Sequence, residues 1–316
     1  MKSNRILVTG ASGAIGNALK SIALTEYGDR DFVFSSSTDC DLTNPVETLA
    51  YVASVGPQAI IHLAARAGGV GVNKAHPATL LRDNVRMSLN ILEASRKSTV
   101  RKTVMALSSG TYPKNAPLPL NEATLHDGYP DESNYGYAFA KRLIDPMIRA
   151  YRSEYGMSVV GLLPNNTIGE ASSFREADSG VVPALIRRFY ENKDDNAPLI
   201  VWGDGTPVRE ISDAKDIARL FMWALDSYDD AQVLNVGTRE ELSIRDIAYT
   251  IADALEIDRA RIVFDNTKPA GPARKNTDDT RFRELIEFTY TPARQTISSL
   301  ARYFAENVYC TESIRL

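Results

Sequence analysis

Short apolar runs alternate with amphipathic stretches along the first half of the chain. Arg5 to Thr9 (RILVT), Asp31 to Ser35 (DFVFS), Ala59 to Leu63 (AIIHL), Thr103 to Leu107 (TVMAL) and Ser158 to Leu163 (SVVGLL) read as strands. Between them, Ala14 to Leu24, Pro45 to Ser54, the stretch near Pro77 to Lys97 and the segment around Tyr137 carry helical spacing. Thr43 or Asn44 would cap the second of these helices. A loop rich in Pro and Asn spans Tyr112 to Asn134. Strands alternating with helices predict a parallel sheet covered on both faces, with right-handed crossovers. Ligands then bind outside the carboxyl ends of the strands. Pro146 breaks the pattern of the Tyr137 helix, where an interior proline costs about 3 kcal/mol or more. The sequence offers no reason for its tolerance.

After residue 164 the strict alternation ends. Helices are expected over Val182 to Tyr190, Asp213 to Leu225 and Ser243 to Leu255, the last capped by Ser243. Leu199 to Trp202 reads as a strand, and Val233 to Val236 as a sixth strand of the sheet. The fold class is α/β: a Rossmann-type doubly wound parallel sheet with a smaller mixed α/β domain. Residues 1–164 with about 213–242 would form the first, and about 165–212 with 243–316 the second.

The 316 residues are 44% hydrophobic and 24% charged, an ordinary composition for a soluble globular chain. A net charge of −4 argues against a nucleic-acid partner. No apolar run reaches the roughly 18 residues that span a bilayer. MKSNRILVTG passes into a strand without a leader pattern, so a cytoplasmic protein is expected. Cys40 and Cys310 are too few for a disulfide framework. His62, His76 and His126 are scattered, and no metal site is expected.

Gly10, Gly13 and Gly16 (TGASGAIG) follow the first strand directly. A tight turn, close approach of a pyrophosphate and a free helix N-terminus need glycines there. The second strand ends in FSSSTDCDL, with hydroxyls on Ser35, Ser36 and Ser37, acids at Asp39 and Asp41, and no Arg or Lys. Those hydroxyls leave NADP open beside NAD. Tyr137 and Lys141 lie one helical turn apart and share a face. An ammonium near a phenol lowers the phenol's pKa from about 10. With Ser108 at the end of an apolar strand, this set suits hydride transfer coupled to proton transfer.

Together, ILVTGASGAIG, IIHLAARAGGVGVN, LSSGTYP, SNYGYAFAKR, LPNNTIG, VVPALIRRF, VWGDGTPVRE and FDNTKPAGPARK resemble the GDP-L-fucose synthase family of extended short-chain dehydrogenase/reductases, nearly end to end. That family epimerises C3 and C5 of a GDP-linked 4-keto sugar and reduces C4 with NADPH. The resemblance implies NADP(H), a GDP-sugar substrate and a homodimer paired through helices around Asn84–Lys97 and Tyr135–Tyr155. It gives Ser108 the C4 oxygen, Tyr137 the proton, and Lys141 the nicotinamide ribose. It places Gly10, Ser12, Gly13, Ala14, Ile15, Gly16, Ser36, Asp41, Leu42, Leu63, Ala64, Ala65, Pro164 and Asn166 at the cofactor. Asn165, Asn166, Val181, Arg188, Trp202, Arg209 and Lys275 match positions at the GDP-sugar, where a diphosphate favours cationic donors.

The chain departs from the family at two points. The epimerase cysteine follows two serines, and the epimerase histidine precedes V-[I/L]-P; here Gly110 and Gly180 hold those places. Proton abstraction beside a ketone needs a base within reach. Thr111 is too weak, and nothing in the sequence positions Glu176 or Asp178. A C4 reductase without efficient epimerisation is therefore expected, acting on a GDP-hexose or GDP-heptose. A complete epimerase-reductase, a C4 dehydrogenase running in reverse, and a non-catalytic NADP(H)-binding regulator are the alternatives.

Overall fold

The computed structural model describes residues 5–175, 179–268 and 271–307. Its first half runs β1 (Arg5–Thr9), α1 (Ala14–Glu26), β2 (Asp31–Ser35), α2 (Pro45–Val55), β3 (Ala59–His62), α3 (Val70–Ala75), α4 (Pro77–Lys97), β4 (Lys102–Ala106), α5 (Tyr135–Arg142), α6 (Ile144–Tyr155) and β5 (Ser158–Pro164). The second half runs β6 (Asn166–Ile168), α7 (Val181–Glu191), β7 (Leu199–Trp202), β8 (Val208–Asp213), α8 (Ala214–Ser227), β9 (Leu234–Val236), β10 (Glu241–Ser243), α9 (Ile244–Ala254), β11 (Ile262–Asp265), α10 (Thr280–Leu285) and α11 (Ala293–Asn307).

Six strands form a parallel sheet in the order β2-β1-β3-β4-β5-β9. In β1, β3, β4 and β5 side chains face alternate sides and both sides are buried, which is why these strands read as apolar runs; the edge strand β2 is half-buried. Ile6, Val8, Val104 and Val160 pack against Leu19 of α1 and Ile217 and Phe221 of α8. On the other face Leu7 and Ile60 meet Val52 of α2 and Ile91 of α4, while Met105 and Val159 meet Ile144 and Ile148 of α6. Each such buried side chain contributes roughly 1.5–3 kcal/mol relative to exposure. Among the described residues no helix is long and apolar enough to cross a membrane.

A second core gathers α7, α9 and α11 around the two-stranded β11-β7 sheet, with Phe174, Phe189 and Phe304 fully buried. The three-stranded sheet β10-β8-β6 joins the two cores, because β6 leaves β5 after a single residue and β8 leads into α8. The hydrophobic pattern does not announce β8: VREISD carries Glu210 and Ser212 inward, and both are buried. Asp213 belongs to the strand and caps α8 by accepting from Lys215 N at 2.8 Å.

Asn44, not Thr43, caps α2. The segment Tyr135–Tyr155 is two helices, broken at Leu143. Pro146 is the third residue of α6, where an N–H has no partner in the helix anyway, and its ring excludes a continuous helix through residue 142. Ser243 closes a reciprocal capping box with Asp246 at the start of α9. Ser243→Ala should cost about 1 kcal/mol, read as a lower urea midpoint with unchanged slope.

Candidate active site

β1 runs into Gly10, whose backbone is left-handed at φ +77°; a Cβ there would lie 2.5 Å from the Ala64 nitrogen. A Cβ on Gly16 would lie 2.4 Å from Gly10 O, so this close packing of turn and helix admits only glycine. Gly13 begins α1 without a side-chain cap, and the first turn holds no acid. Its N–H groups and the positive end of the helix dipole therefore suit a phosphate.

This loop, the end of β2 and the end of β3 enclose a cavity of about 300 Å³. Gly10, Ser12, Gly13, Ser36, Asp41, Leu42, Leu63, Ala64 and Ala65 line it, as does Cys40, whose thiol burial pushes up to about 11. Ser36 donates to Asp39 from both its N–H (2.8 Å) and its hydroxyl (2.9 Å). The wall also carries a cation that the strand-two segment lacks: Arg66, paired with Asp83 at 2.5 Å. Asn84 fixes its backbone by two hydrogen bonds of 2.9 Å. Arg66 lies three residues beyond the predicted third strand, and only the fold turns it toward Asp41.

A second cavity of about 710 Å³ adjoins the first, and Gly13, Leu63 and Ala65 belong to both walls. It collects Ala14, Ser108, Gly110, Asn165, Asn166, Gly180, Val181, Arg209 and Lys275 from both cores. Ile15, Gly16 and Pro164 lie on neither wall. Arg188 and Trp202 also lie off it: Arg188 donates to Ile200 O at 3.0 Å, and its guanidinium sits 6.0 Å from the Trp202 ring centre. Lys275 is held below its ordinary pKa by burial and by the Arg209 charge. Behind the wall, the buried Glu210 carboxyl accepts from Thr277 N and Oγ1 and from Asn165 Nδ2, at 2.9–3.2 Å. Burial raises it to about 7.

Ser108 ends the turn after β4, and its Oγ accepts from Gly110 N at 3.1 Å. The Tyr137 hydroxyl lies near enough to the Ser108 side chain for that hydroxyl to favour its ionised form. One turn along α5, the buried Lys141 ammonium donates to Ala106 O at 2.6 Å. Arg142 binds Thr111 O and Gly128 O, stapling the loop after Ser108 to the same helix. Gly136 lets α5 cross against α4, since a Cβ there would lie 2.0 Å from Pro77 O. Thr111 is fully buried and donates its hydroxyl to Ser108 O. Glu176 and Asp178 lie outside the described residues.

The expected lowering of the Tyr137 pKa by Lys141 is corrected by this geometry. Burial raises the phenol, and the Ser108 hydroxyl opposes that rise. The lysine yields instead: burial brings it from 10.5 down to about 8. His62 is buried beside this charge with Nδ1 2.8 Å from Thr9 Oγ1, and burial holds it neutral, near 3. Among the described residues no cluster could hold a metal ion.

The model of the NAD dependent epimerase/dehydratase family matches residues 6–237. The chain belongs to that family. Within it, the GDP-L-fucose synthase of Dictyostelium discoideum is 34% identical over 306 residues, covering 96% of this chain and 95% of that protein. The GDP-L-fucose synthase of Escherichia coli (strain K12) is 31% identical, covering 97% of this chain and 98% of that protein. A solved GDP-L-fucose synthetase from Naegleria fowleri bound to NADP superposes with a TM-score of 0.91 at 31% identity, covering all of this chain and 97% of that one.

The Lys141 shift has a stability consequence. Folding disfavours its charged form, so between pH 8 and 10.5 the unfolded chain holds more protons at this site. Unfolding free energy should therefore rise with pH across that window, by at most about 3 kcal/mol from this group. Lys141→Met should lack that rise in urea titrations taken at stepped pH.

Proposed function

We propose that this chain is an NADPH-dependent C4-ketoreductase of a GDP-linked 4-keto-6-deoxy sugar, hexose or heptose, without efficient 3,5-epimerisation. It is an NADP(H)-dependent oxidoreductase of nucleotide sugars. One observation carries the finer reading. Among the described residues lining the large cavity, which include Ser108 but not the Tyr137 behind it, there is no cysteine, histidine or carboxylate. Ketone reduction needs no base beside C3 or C5, whereas epimerisation does.

The glycine turn and the open start of α1 fit a dinucleotide pyrophosphate, and the shared wall leads from that groove to Ser108. When bound, NADPH supplies the hydride for the sugar's C4. Ser108 hydrogen-bonds the C4 oxygen and fixes its direction. Tyr137 gives that oxygen its proton, which with the hydride at carbon makes the ketone a secondary alcohol. A phenol raised by burial stays protonated at neutral pH, which suits the reducing direction. Lys141, anchored on Ala106 O one helical turn from Tyr137, is left to hold the nicotinamide ribose. Arg209 and Lys275 offer cationic donors to the diphosphate of the GDP moiety.

The complete epimerase-reductase is the second reading, favoured by the curated relatives' names. Turnover of GDP-4-keto-6-deoxymannose with NADPH in deuterated water separates the two. The product should carry no solvent deuterium at C3 or C5; deuterium at either position sinks the reductase-only reading. A Cβ at Gly180 meets nothing within 4 Å, and one at Gly110 lies 3.2 Å from Asn134 Nδ2. The pair Gly110→Cys and Gly180→His should therefore fold and gain deuterium exchange. Tyr137→Phe should lower kcat by about a hundredfold or more while NADPH binding, followed by fluorescence, persists.

A further inference from the structure

The two adjoining cavities divide a dinucleotide between them. The larger leads to Ser108 and suits the nicotinamide half; the smaller, walled by the glycine turn and the end of β2, suits the adenosine half. The end of the second strand ordinarily sorts the two cofactors: an acid there binds the ribose 2′-hydroxyl, and a cation accommodates the 2′-phosphate. Here it offers neither freely. The Ser36 hydroxyl is engaged with Thr38 Oγ1 at 2.7 Å and Asp39 at 2.9 Å. Asp41 accepts from Thr43 N at 2.9 Å and from Thr43 Oγ1 at 2.8 Å. From Asp31 to Ala65 the chain holds no Lys or Arg. Among the described residues, Arg66 is the sole cation on the wall of the smaller cavity.

We propose that Arg66 decides cofactor specificity, its guanidinium binding the 2′-phosphate of the adenosine ribose in place of a cation on the segment after β2. The side chain is 56% exposed, so a ligand in the groove can reach it. It is also held in place. Asn84 ties its backbone, and its Nη1 donates to the buried Asp83 of α4 at 2.5 Å. Arg82 draws on the same carboxylate at 2.7 Å, so two guanidinium charges share one counterion and positive charge is left over. One Nη1 bond leaves most of the five donors of the fork for a ligand. Arg66 lies on the wall of the smaller cavity and not of the larger, which puts it on the adenosine side of the shared residues. The pyrophosphate already has the glycine turn and the open start of α1. A 2′-phosphate suits a guanidinium fork, whereas NADH brings only a hydroxyl there. Without Arg66 the described wall would keep one carboxylate, Asp41, and no cation.

Dissociation constants for NADPH and NADH, read from cofactor fluorescence without any sugar, test this on the wild type, Arg66→Ala and Arg82→Ala. The wild type should favour NADPH by about tenfold or more. Arg66→Ala should weaken NADPH by about tenfold or more and NADH by less than about twofold. Displacement of NADH by 2′-AMP, which carries the 2′-phosphate without a pyrophosphate, should need about tenfold more of it in that variant. Arg82→Ala, which removes a cation from the same carboxylate but off the wall, should keep the preference for NADPH. Arg66→Gln carries the comparison if the alanine variant does not fold. A loss shared equally by NADPH and NADH would put the guanidinium on the pyrophosphate and overturns the proposal. So does a wild type without preference, or an Arg66 variant that keeps it. No sugar enters these measurements, so none of their outcomes touches the ketoreductase reading.

Discussion

One buried ammonium sets the geometry on which the proposed chemistry rests. Lys141 reaches from α5 to the last carbonyl of β4, and among the described residues no carboxylate pairs with it. An unpaired charge is tolerated there only because that carbonyl solvates it. The bond ties the tyrosine's helix to the strand that delivers Ser108, so the two hydroxyls meet by construction. Arg142 adds a second tie on the same helix through Thr111 O and Gly128 O. The family is shown by sequence likeness, but this clamp is what makes the likeness chemically meaningful.

The large cavity exists because two hydrophobic cores approach each other across a narrow joint. The parallel sheet contributes Ser108 and the glycine turn; the second core contributes Gly180, Val181 and, through β8 and the loop after it, Arg209 and Lys275. The joint is polar. Glu210, Asn165, Ser212 and Thr277 form a buried hydrogen-bonded set between the β5–β6 junction, β8 and residue 277. Such a set specifies one arrangement, since any slip leaves several enclosed groups unpaired.

Most of the sheet was legible in the sequence, because strands buried on both faces are written as apolar runs and cannot be mistaken for a half-exposed pattern. The glycine turn and the Tyr137–Lys141 spacing were legible for a similar reason: each answers a local backbone rule. What stayed hidden depends on contacts distant in sequence. β8 was obscured because its inward residues are polar and are satisfied by Asn165 and Thr277. Arg66 reaches the smaller cavity, beside Asp41, only because the chain after β3 folds over the end of β2. The direction of the Tyr137 shift was misjudged because spacing reports that a lysine is near, not how dry the pair is. Arg188 and Trp202 pack together away from the cavity wall, which neighbouring letters cannot reveal.

The break at Leu143 has an effect beyond accommodating a proline. A single rod from Tyr135 to Tyr155 would carry every tilt of its outer half straight to the phenol. Two segments with a joint between them do not. The outer segment is instead seated on the sheet through Ile144 and Ile148, so its own packing, and not the lever of a long helix, decides its angle.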